Sequence, residues 1–249
     1  LDNKLGTKRP PGFPFNLNSA LDHLLKQEFD THRKAATKHP LIEEYGINAI
    51  PFPHKDLDRW RDNFEGVQYR DETTGMTISG AIDDVWQDLD TKELIVVDYK
   101  ATSKDEKVTL DADWQIGYKR QMEVYQWLLR KNDFEVSDTG YFVYANGLKN
   151  KEAFNARLDF EIVVLPYTGN DSWVDGAITK IHTALEDPRI PSPGRDCDYC
   201  PYRDTVNELF LKRAKSRPSE APTKTTATKT PPKKAARKTP DPPDTGSLF

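Results

Sequence analysis

The clearest helical period in the chain lies near its middle. Between residues 113 and 131, large side chains recur at intervals of three or four, and Lys and Arg cover the rest of the cylinder. Trp114, Tyr118, Gln121, Tyr125 and Leu128 fall on one coherent face of the predicted helix. An earlier helix is predicted after the capping pair Asn18-Ser19, and a later one from Ser172 to about Asp187-Pro188. The pattern therefore predicts three substantial helices.

Short runs of β-branched and aromatic residues predict the strands. These are Val67–Glu72, Met76–Trp86, Leu94–Tyr99, Thr139–Tyr144 and Leu158–Pro166. Asp-Leu-Asp separates the second run from the third, which predicts a hairpin. Residues 38–61, interrupted by Pro40, Pro51 and Pro53, are predicted to form helix and loop. Strands on both sides of the central helix indicate an α/β fold with a mixed central β-sheet flanked by helices.

The two ends of the chain differ in composition from its middle. Residues 1–15 contain Pro10-Pro11-Gly12 and Pro14 and are predicted to be an extended lead-in. Residues 212–249 are rich in Lys, Thr, Pro and Ala, so they bury too little apolar surface to offset chain entropy. We therefore expect one domain over residues 16–211 and a disordered basic C-terminal tail.

Charge divides along the same boundary. Residues 212–249 hold ten Lys or Arg and three Asp or Glu, a net charge of +7. The remaining 211 residues hold 26 Lys or Arg and 37 Asp or Glu, a net charge of −11. A basic tail on an acidic body favours either salt-sensitive, sequence-independent capture of nucleic acid or a plain solubilising extension.

Several classes of protein are excluded by what the sequence lacks. No apolar run is long enough to span a bilayer, and there is no signal-peptide pattern, so we expect a cytoplasmic protein without a membrane partner. Two cysteines, Cys197 and Cys200, are too few for a disulfide framework. The phosphate loop G-x-x-x-x-G-K-[ST] is missing, so the chain does not itself drive ATP-dependent unwinding.

Acidic residues stand at the edges of two predicted strands. Gly80-Ala-Ile-Asp83 ends in one carboxylate, and Asp98-Tyr-Lys100 follows the apolar run Ile95-Val96-Val97. Two carboxylates at neighbouring strand ends suit Mg²⁺, whose octahedral shell is completed by water and substrate phosphate. Metal-bound water is a nucleophile at neutral pH, so the pair predicts a metal-dependent phosphodiesterase. The alternative is that these charges only face water, as an isolated Asp-x-Lys commonly does.

Two neighbouring features bear on that choice. Asp84 follows Asp83 directly, but strand side chains alternate, so Asp84 is expected on the opposite sheet face and not as a ligand. Gln121 and Tyr125 are one turn apart on the same face of the central helix. By themselves these two are explained as a core aromatic and its solvated neighbour.

In the order Gly-x-x-Asp, Asp-x-Lys, then a helix with Gln-x-x-x-Tyr, the chain resembles the PD-(D/E)xK nuclease superfamily, specifically its RecB-like exonuclease branch. The resemblance covers about residues 16–205, with the motifs inside residues 80–125. It implies a restriction-endonuclease-like core. It also implies a divalent-metal-dependent DNA nuclease, exonucleolytic or single-strand-preferring, acting in DNA repair, recombination or defence.

The resemblance also implies the catalytic roles. Asp83 and Asp98 are expected to bind Mg²⁺ or Mn²⁺, together with the backbone carbonyl of Tyr99. Lys100 is expected to orient or activate the attacking water and to counter the charge of the phosphate. Asp83, Asp98 and Lys100 are therefore the candidate catalytic residues.

The two helices are expected to contribute as well. Gln121 and Tyr125 match the helix motif of the branch, which lies beside the metal and positions the substrate strand. The family often adds an acidic residue or a histidine from the first helix. Glu28 and His23 are the candidate metal ligands there, and His32 is a weaker candidate. A solvated Glu28 on an amphipathic helix is the alternative.

The cysteine pair Cys197-Asp-Tyr-Cys200 resembles the cysteines that hold an iron–sulfur cluster in many members of the branch. Such clusters need four thiolates or equivalents, so we predict that the iron–sulfur cluster is absent here. Zinc would need two further ligands, and His182 supplies at most one. We interpret the pair as a relic of the cluster or as a reversible dithiol.

The expected partners are DNA, as single strands or duplex ends, and a helicase or a sliding clamp. Residues 245–249 faintly resemble the Leu-Phe peptides that bind the bacterial clamp, although the leading glutamine of that motif is missing. Two alternatives to a free-standing nuclease stay open. One is a catalytically silent nucleic-acid-binding or scaffold protein on the same fold, and the other is the nuclease subunit of a helicase complex.

Overall fold

The computed structural model describes residues 16–189 and, beyond them, residues 192, 194, 197, 200, 203, 204, 207, 208 and 211. The chain divides between residues 190 and 191 into two compact units. The predicted lead-in over residues 1–15 and the basic tail over residues 212–249 lie outside the described residues, so these domain bounds stay predictions.

Five α-helices lie within residues 16–189. They are α1 (Asn16–Ala35), α2 (Pro40–Glu44), α3 (Leu57–Arg61), α4 (Ile116–Arg130) and α5 (Val174–Glu186). A 3₁₀ turn, Asp113–Gln115, leads into α4. The three long helices are therefore those that the apolar period predicts. The first begins earlier than predicted, because no proline after Pro14 breaks it, and Asn18-Ser19 lies inside it.

Seven strands form two sheets in the same range. They are β1 (Ala49–Pro51), β2 (Val67–Arg70), β3 (Thr77–Gly80), β4 (Asp84–Asp88), β5 (Leu94–Thr102), β6 (Thr139–Gly147) and β7 (Phe160–Thr168). The main sheet has the order β1-β4-β5-β6-β7, in which β5 and β6 are parallel and the other neighbours antiparallel. This confirms the predicted α/β fold with a mixed central sheet flanked by helices, consistent with a restriction-endonuclease-like core.

The predicted strand over residues 76–86 is wrong in one respect, because it is two strands. β3 pairs with β2 in the small sheet, whereas β4 pairs with β5 as the predicted hairpin. At the break, the N–H of Ile82 donates to the carbonyl of Trp60 at 2.9 Å instead of to a strand. Gly66, at φ +66°, lies so close to Gly80 that a Cβ on it would be 2.5 Å from the Gly80 carbonyl oxygen. Asp83 therefore lies at the junction of the two sheets.

A short strand in the predicted helix-and-loop region was not expected. β1 pairs antiparallel with β4, with Ile50 opposite Gln87. It ends at Pro51, which lacks an N–H group, and it is an edge strand, where proline is tolerated. Its three residues are too few for an alternating pattern to be recognised.

Both faces of the main sheet are buried under helices. On β5, Val97 and Tyr99 pack with Phe29 of α1, whereas Val96 on the other face packs with Met122 of α4. Successive side chains of a strand point to opposite faces, so Asp98 and Lys100 share the α4 face with Val96. The strand therefore presents its acidic and basic side chains on one face of the sheet and Tyr99 on the other.

A buried ion cluster joins α1 and α3 to the sheet. The Asp84 side chain is fully buried and faces α1, as strand alternation predicts. Its carboxylate accepts hydrogen bonds from the guanidiniums of Arg33 and Arg61, and the hydroxyl of Tyr99 donates to it at 2.6 Å. Both arginines also bind Asp30. Burial lowers the pKa of Arg61, but the two carboxylates outweigh burial and raise it above its ordinary value.

We expect Asp84→Asn to lower the free energy of unfolding by about 3 kcal/mol or more, because it removes the charge of the buried one of the two carboxylates that Arg33 and Arg61 share. Urea unfolding followed by circular dichroism measures this. Asp105→Asn is the matched control, since its ion pair with Lys149 is largely exposed and such pairs contribute about 0–1 kcal/mol. Equal effects of the two substitutions would show that the Asp84 cluster does not hold the fold together.

Candidate active site

The acidic and basic residues of the Asp-x-Lys motif lie side by side on β5. Asp98 is 1% exposed, and the Lys100 Nζ forms an ion pair with its Oδ2. Apart from this ion pair, Asp98 Oδ2 has no hydrogen-bond partner within the described part of the chain. A buried carboxylate oxygen whose partner is a single ammonium is poorly compensated, so a further cation would be favourable there.

The second carboxylate reaches this site from the junction of the two sheets. Asp83 Oδ2 accepts a hydrogen bond from the backbone N–H of Tyr99 at 2.9 Å, and Oδ1 accepts from Lys26 Nζ at 3.1 Å. The guanidinium Nε of Arg61 donates to its backbone carbonyl at 3.0 Å. The Asp83 carboxylate is therefore fixed against β5, at the residue that follows Asp98.

The negative charge of Asp83 influences the ionisation of Asp98. The pKa of Asp98 is raised to about 7. Burial is the largest cause, the Lys100 ammonium acts against it, and the negative charge of Asp83 adds to it. The folded protein thus holds a carboxyl group that ionises near neutral pH. A cation shared with Asp83 would favour the ionised form.

The helix motif is connected to this pair by hydrogen bonds. Lys100 Nζ donates to Gln121 Oε1 at 3.3 Å, and Gln121 Nε2 donates to the Tyr125 hydroxyl at 2.7 Å. Burial raises the pKa of Tyr125 well above its ordinary value, so its hydroxyl is protonated. One continuous chain of contacts therefore runs from Asp98 through Lys100 and Gln121 to Tyr125.

The glycine of the Gly-x-x-Asp motif makes room for the tyrosine of the helix motif. A Cβ on Gly80 would lie 2.7 Å from Tyr125 Cε1 and 3.1 Å from Leu128 Cδ1. The Tyr125 ring therefore packs directly on the backbone of β3, three residues before Asp83. The Gly-x-x-Asp and Gln-x-x-x-Tyr motifs are therefore in physical contact.

The first helix brings Asp22 and Lys26 to the site. Lys26 Nζ donates to Asp22 Oδ2 at 2.8 Å as well as to Asp83. Burial lowers the pKa of Lys26, but Asp83 and Asp22 outweigh burial and raise it. Sequence reasoning missed both residues. The signal that could have identified them is the Asp-x-x-x-Lys spacing, which puts both side chains on one helix face.

The predicted ligands of the first helix are placed elsewhere. His23 is exposed, and Glu28 is 63% exposed and accepts a hydrogen bond from His39 Nε2 at 3.0 Å. The His32 ring hydrogen-bonds to Thr37. None of the three lines the cavity described next.

An open cavity of about 460 Å³ lies over Asp83 and Lys100, at the end of β5. The first three turns of α1 form one wall of this cavity, and the start of α4 contributes Tyr118. Its polar lining consists of Asn18, Ser19, Asp22, Lys26, Asn63, Asp83, Lys100 and Tyr118. The cavity therefore combines carboxylates with ammonium groups, as a site for a cation and an anionic substrate would.

The donor set fits Mg²⁺ or Mn²⁺. Mg²⁺ is commonly bound through one or two carboxylates, with water and substrate phosphate in the other positions, and Asp83 and Asp98 would be those two carboxylates. Within residues 16–189 and the nine further described positions, no three His, Cys, Asp or Glu side chains form a ligand cluster. The Tyr99 N–H supports Asp83, and coordination by the Tyr99 carbonyl stays a prediction.

The cysteine pair belongs to the unit beyond residue 190 and is described by itself. Cys197 Sγ and Cys200 Sγ lie 3.1 Å apart and are hydrogen-bonded. This hydrogen bond, followed by burial, raises the pKa of Cys200. The predicted absence of an iron–sulfur cluster stays a prediction.

The family model of the PD-(D/E)XK nuclease superfamily matches residues 9–205, which is most of the chain. The protein therefore belongs to the PD-(D/E)XK nuclease superfamily, whose members generally hydrolyse phosphodiester bonds and use divalent metals such as Mg²⁺. No curated protein and no solved structure matches the chain. Among the described residues, no helix combines the length and apolar character needed to cross a bilayer.

We expect Gly80→Ala to lower the free energy of unfolding by about 1–3 kcal/mol, because its Cβ overlaps the Tyr125 ring and forces the ring or β3 to move. Thermal unfolding measures the change. Gly117→Ala is the matched control, since nothing lies within 4 Å of that Cβ and alanine favours a helix, so stability stays equal or rises slightly. A Gly80→Ala protein as stable as the Gly117→Ala protein would contradict the contact between the two motifs.

The raised pKa of Asp98 predicts a pH dependence of stability in the presence of EDTA. Between the ordinary aspartate pKa near 4 and the folded value of about 7, the folded state binds this proton more tightly than the unfolded state. The contribution of Asp98 to stability is therefore greatest below about pH 4 and is lost as the pH rises to about 7. Relative to Asp98→Asn, the wild type should lose stability between about pH 5 and pH 8 in urea unfolding. Parallel pH profiles of the two proteins would rule out a raised pKa.

Proposed function

We propose that the protein is a divalent-metal-dependent DNA nuclease that hydrolyses phosphodiester bonds with a metal-activated water. The observation that supports this most strongly is the position of Asp83. Its carboxylate is held by the backbone N–H of Tyr99, between the two residues of the Asp98-x-Lys100 motif. Asp83 and Lys100 line one cavity, and the buried Asp98 is paired with Lys100, in a chain of the nuclease superfamily.

Each residue has a role that follows from its contacts. Asp83 and Asp98 would hold the cation, which when bound lowers the pKa of a water and stabilises charge on the attacked phosphate. Lys100, paired with Asp98 and bonded to Gln121, would orient that water and counter the charge of the phosphate. Gln121 and Tyr125 would fix the Lys100 ammonium and line up the substrate strand.

The first helix extends this proposal. Asp22 lines the cavity and binds Lys26, so Asp22 is better placed than His23 or Glu28 to add a carboxylate, directly or through water. Lys26 forms an ion pair with Asp83. A cation held by Asp83 would leave the Lys26 ammonium available to a phosphate in the same cavity.

The finer parts of the proposal rest on the motif resemblance. They are membership of the RecB-like branch, an exonuclease or single-strand-preferring activity, and a cytoplasmic role in DNA repair, recombination or defence. A helicase or a sliding clamp would be a partner in such a role. The clamp-binding candidate, residues 245–249, lies outside the described residues.

The deciding assay uses end-labelled linear and circular single-stranded DNA, and the corresponding duplexes, with Mg²⁺, Mn²⁺ or EDTA. Cleavage with either metal and none with EDTA supports the proposal. Loss of linear strands with survival of circles indicates an exonuclease, whereas cleavage of circles indicates an endonuclease. Inactivity on every substrate, with no Mg²⁺ or Mn²⁺ binding in calorimetry, would support the silent scaffold protein instead.

We expect Asp98→Asn and Lys100→Met each to lower kcat about 100-fold or more, because each removes a charge that acts on the reacting phosphate or its metal. Asp159→Asn and Lys151→Met are the matched controls, since this ion pair does not line the cavity, and both should retain activity. Steady-state cleavage of a fluorescent oligonucleotide measures the effect. Full activity in either variant would exclude the residue that it replaces from catalysis.

A further inference from the structure

A large aromatic side chain is exposed beside the cavity. Trp114 is 59% exposed, although it lies in the 3₁₀ turn that leads into α4 and not in a long loop. Tryptophan is highly buried on average, so a mostly exposed ring calls for an explanation. The roles described so far for α4, through Gln121 and Tyr125, do not use it.

The position of Trp114 is firmly held by its neighbour. Gln115 is 1% exposed, and its Nε2 donates to the carbonyl of Thr109 at 2.7 Å. Its Oε1 accepts from the backbone N–H of Ala112 at 2.9 Å. A buried side chain thus closes the turn on both sides, and the exposed ring next to it is presented by a fixed backbone.

Two aromatic rings between two lysines connect Trp114 to the site. Lys104 Nζ lies 5.5 Å from the Trp114 ring, and the Trp114 ring meets Tyr118 edge to face at 5.4 Å. Lys100 Nζ lies 4.5 Å from the Tyr118 ring, which also lines the cavity. The last two separations share the Tyr118 centroid, so the Trp114 ring lies within about 10 Å of Lys100 Nζ.

Charge alone does not account for this surface. Residues 100–120 hold five Lys or Arg and four Asp or Glu, so the segment is nearly neutral. A segment that bound nucleic acid only through phosphates would carry a clear positive excess. The distinctive feature of the segment is an exposed indole ring with one ammonium group beside it. An indole ring can stack on a base, and the ammonium can contact the phosphate of that nucleotide.

We propose that Trp114 is a stacking platform for an unpaired nucleobase of a single-stranded substrate, with Lys104 contacting the adjoining phosphate. A base inside a duplex is already stacked on both sides, so the platform favours single strands over duplexes. The ring is close enough to Lys100 for the stacked base and the attacked phosphate to belong to neighbouring nucleotides. The inference rests on the proposed nuclease function, because it names the substrate form that the same site selects.

The test measures the affinity for single-stranded DNA after either the Trp114 ring or one base of the strand has been removed. The full chain, in EDTA, binds a fluorescein-labelled oligothymidylate and a series in which one abasic nucleotide is placed at each position in turn. In the wild type, one abasic position should weaken binding by roughly 5- to 100-fold, the effect of losing one aromatic–base stack. In Trp114→Ala, the intact strand should bind that much more weakly, and the abasic series should show no such position.

Two controls identify the cause of a change. Trp114→Phe keeps an aromatic face and should keep most of the affinity and the same sensitive position. Ile181→Ala removes an exposed apolar side chain from α5 and should change neither. A Trp114→Ala protein with wild-type affinity, or with the wild-type abasic profile, would overturn the proposal.

This binding test and the cleavage assay can fail separately. Because EDTA prevents metal-dependent cleavage, the abasic series reports stacking even if the protein proves inactive with Mg²⁺ and Mn²⁺. Metal-dependent cleavage together with a flat abasic series in the wild type would leave the nuclease function intact and exclude the platform. Equal affinity of the wild type for single strands and for duplexes would also exclude it.

Discussion

The region around the site depends on the neutralisation of one buried carboxylate. Asp84 is fully buried, and its charge is met by Arg33 from α1, Arg61 from α3 and the Tyr99 hydroxyl from β5. A buried carboxylate without such partners would be very unfavourable, so the three elements must come together where Asp84 lies. Arg61 also holds the backbone carbonyl of Asp83. The candidate metal ligand thus takes its position from the charge of its neighbour.

The same region contains a second buried carboxylate with the opposite character. Asp98 lies on the other face of the sheet, is paired with one ammonium group and is repelled by Asp83, and its pKa is about 7. Asp84 has two guanidiniums and a hydroxyl, whereas Asp98 lacks an equivalent set. Full compensation makes Asp84 a structural group, and incomplete compensation leaves Asp98 ready for a cation.

Sequence patterns predicted what depends on neighbouring residues in the chain. The period of α4 and the β4–β5 hairpin are local properties, and both are present. The break after Gly80 was not predictable, because it depends on the approach of Gly66 and on a hydrogen bond to Trp60. Whether His23 or Glu28 lies near Asp83 depends on which face of α1 is turned towards Asp83. Residue type alone does not indicate that orientation.

The hydrogen bonds from Lys100 to Tyr125 have a fixed polarity. An ammonium group only donates, so Gln121 must turn its oxygen to Lys100 and its amide nitrogen to Tyr125. The Tyr125 oxygen is then an acceptor of that bond, and its own hydrogen is directed to a partner other than Gln121. The Lys100 ammonium therefore sets the orientation of the Gln121 amide and, through it, the role of the Tyr125 oxygen in this row of hydrogen bonds.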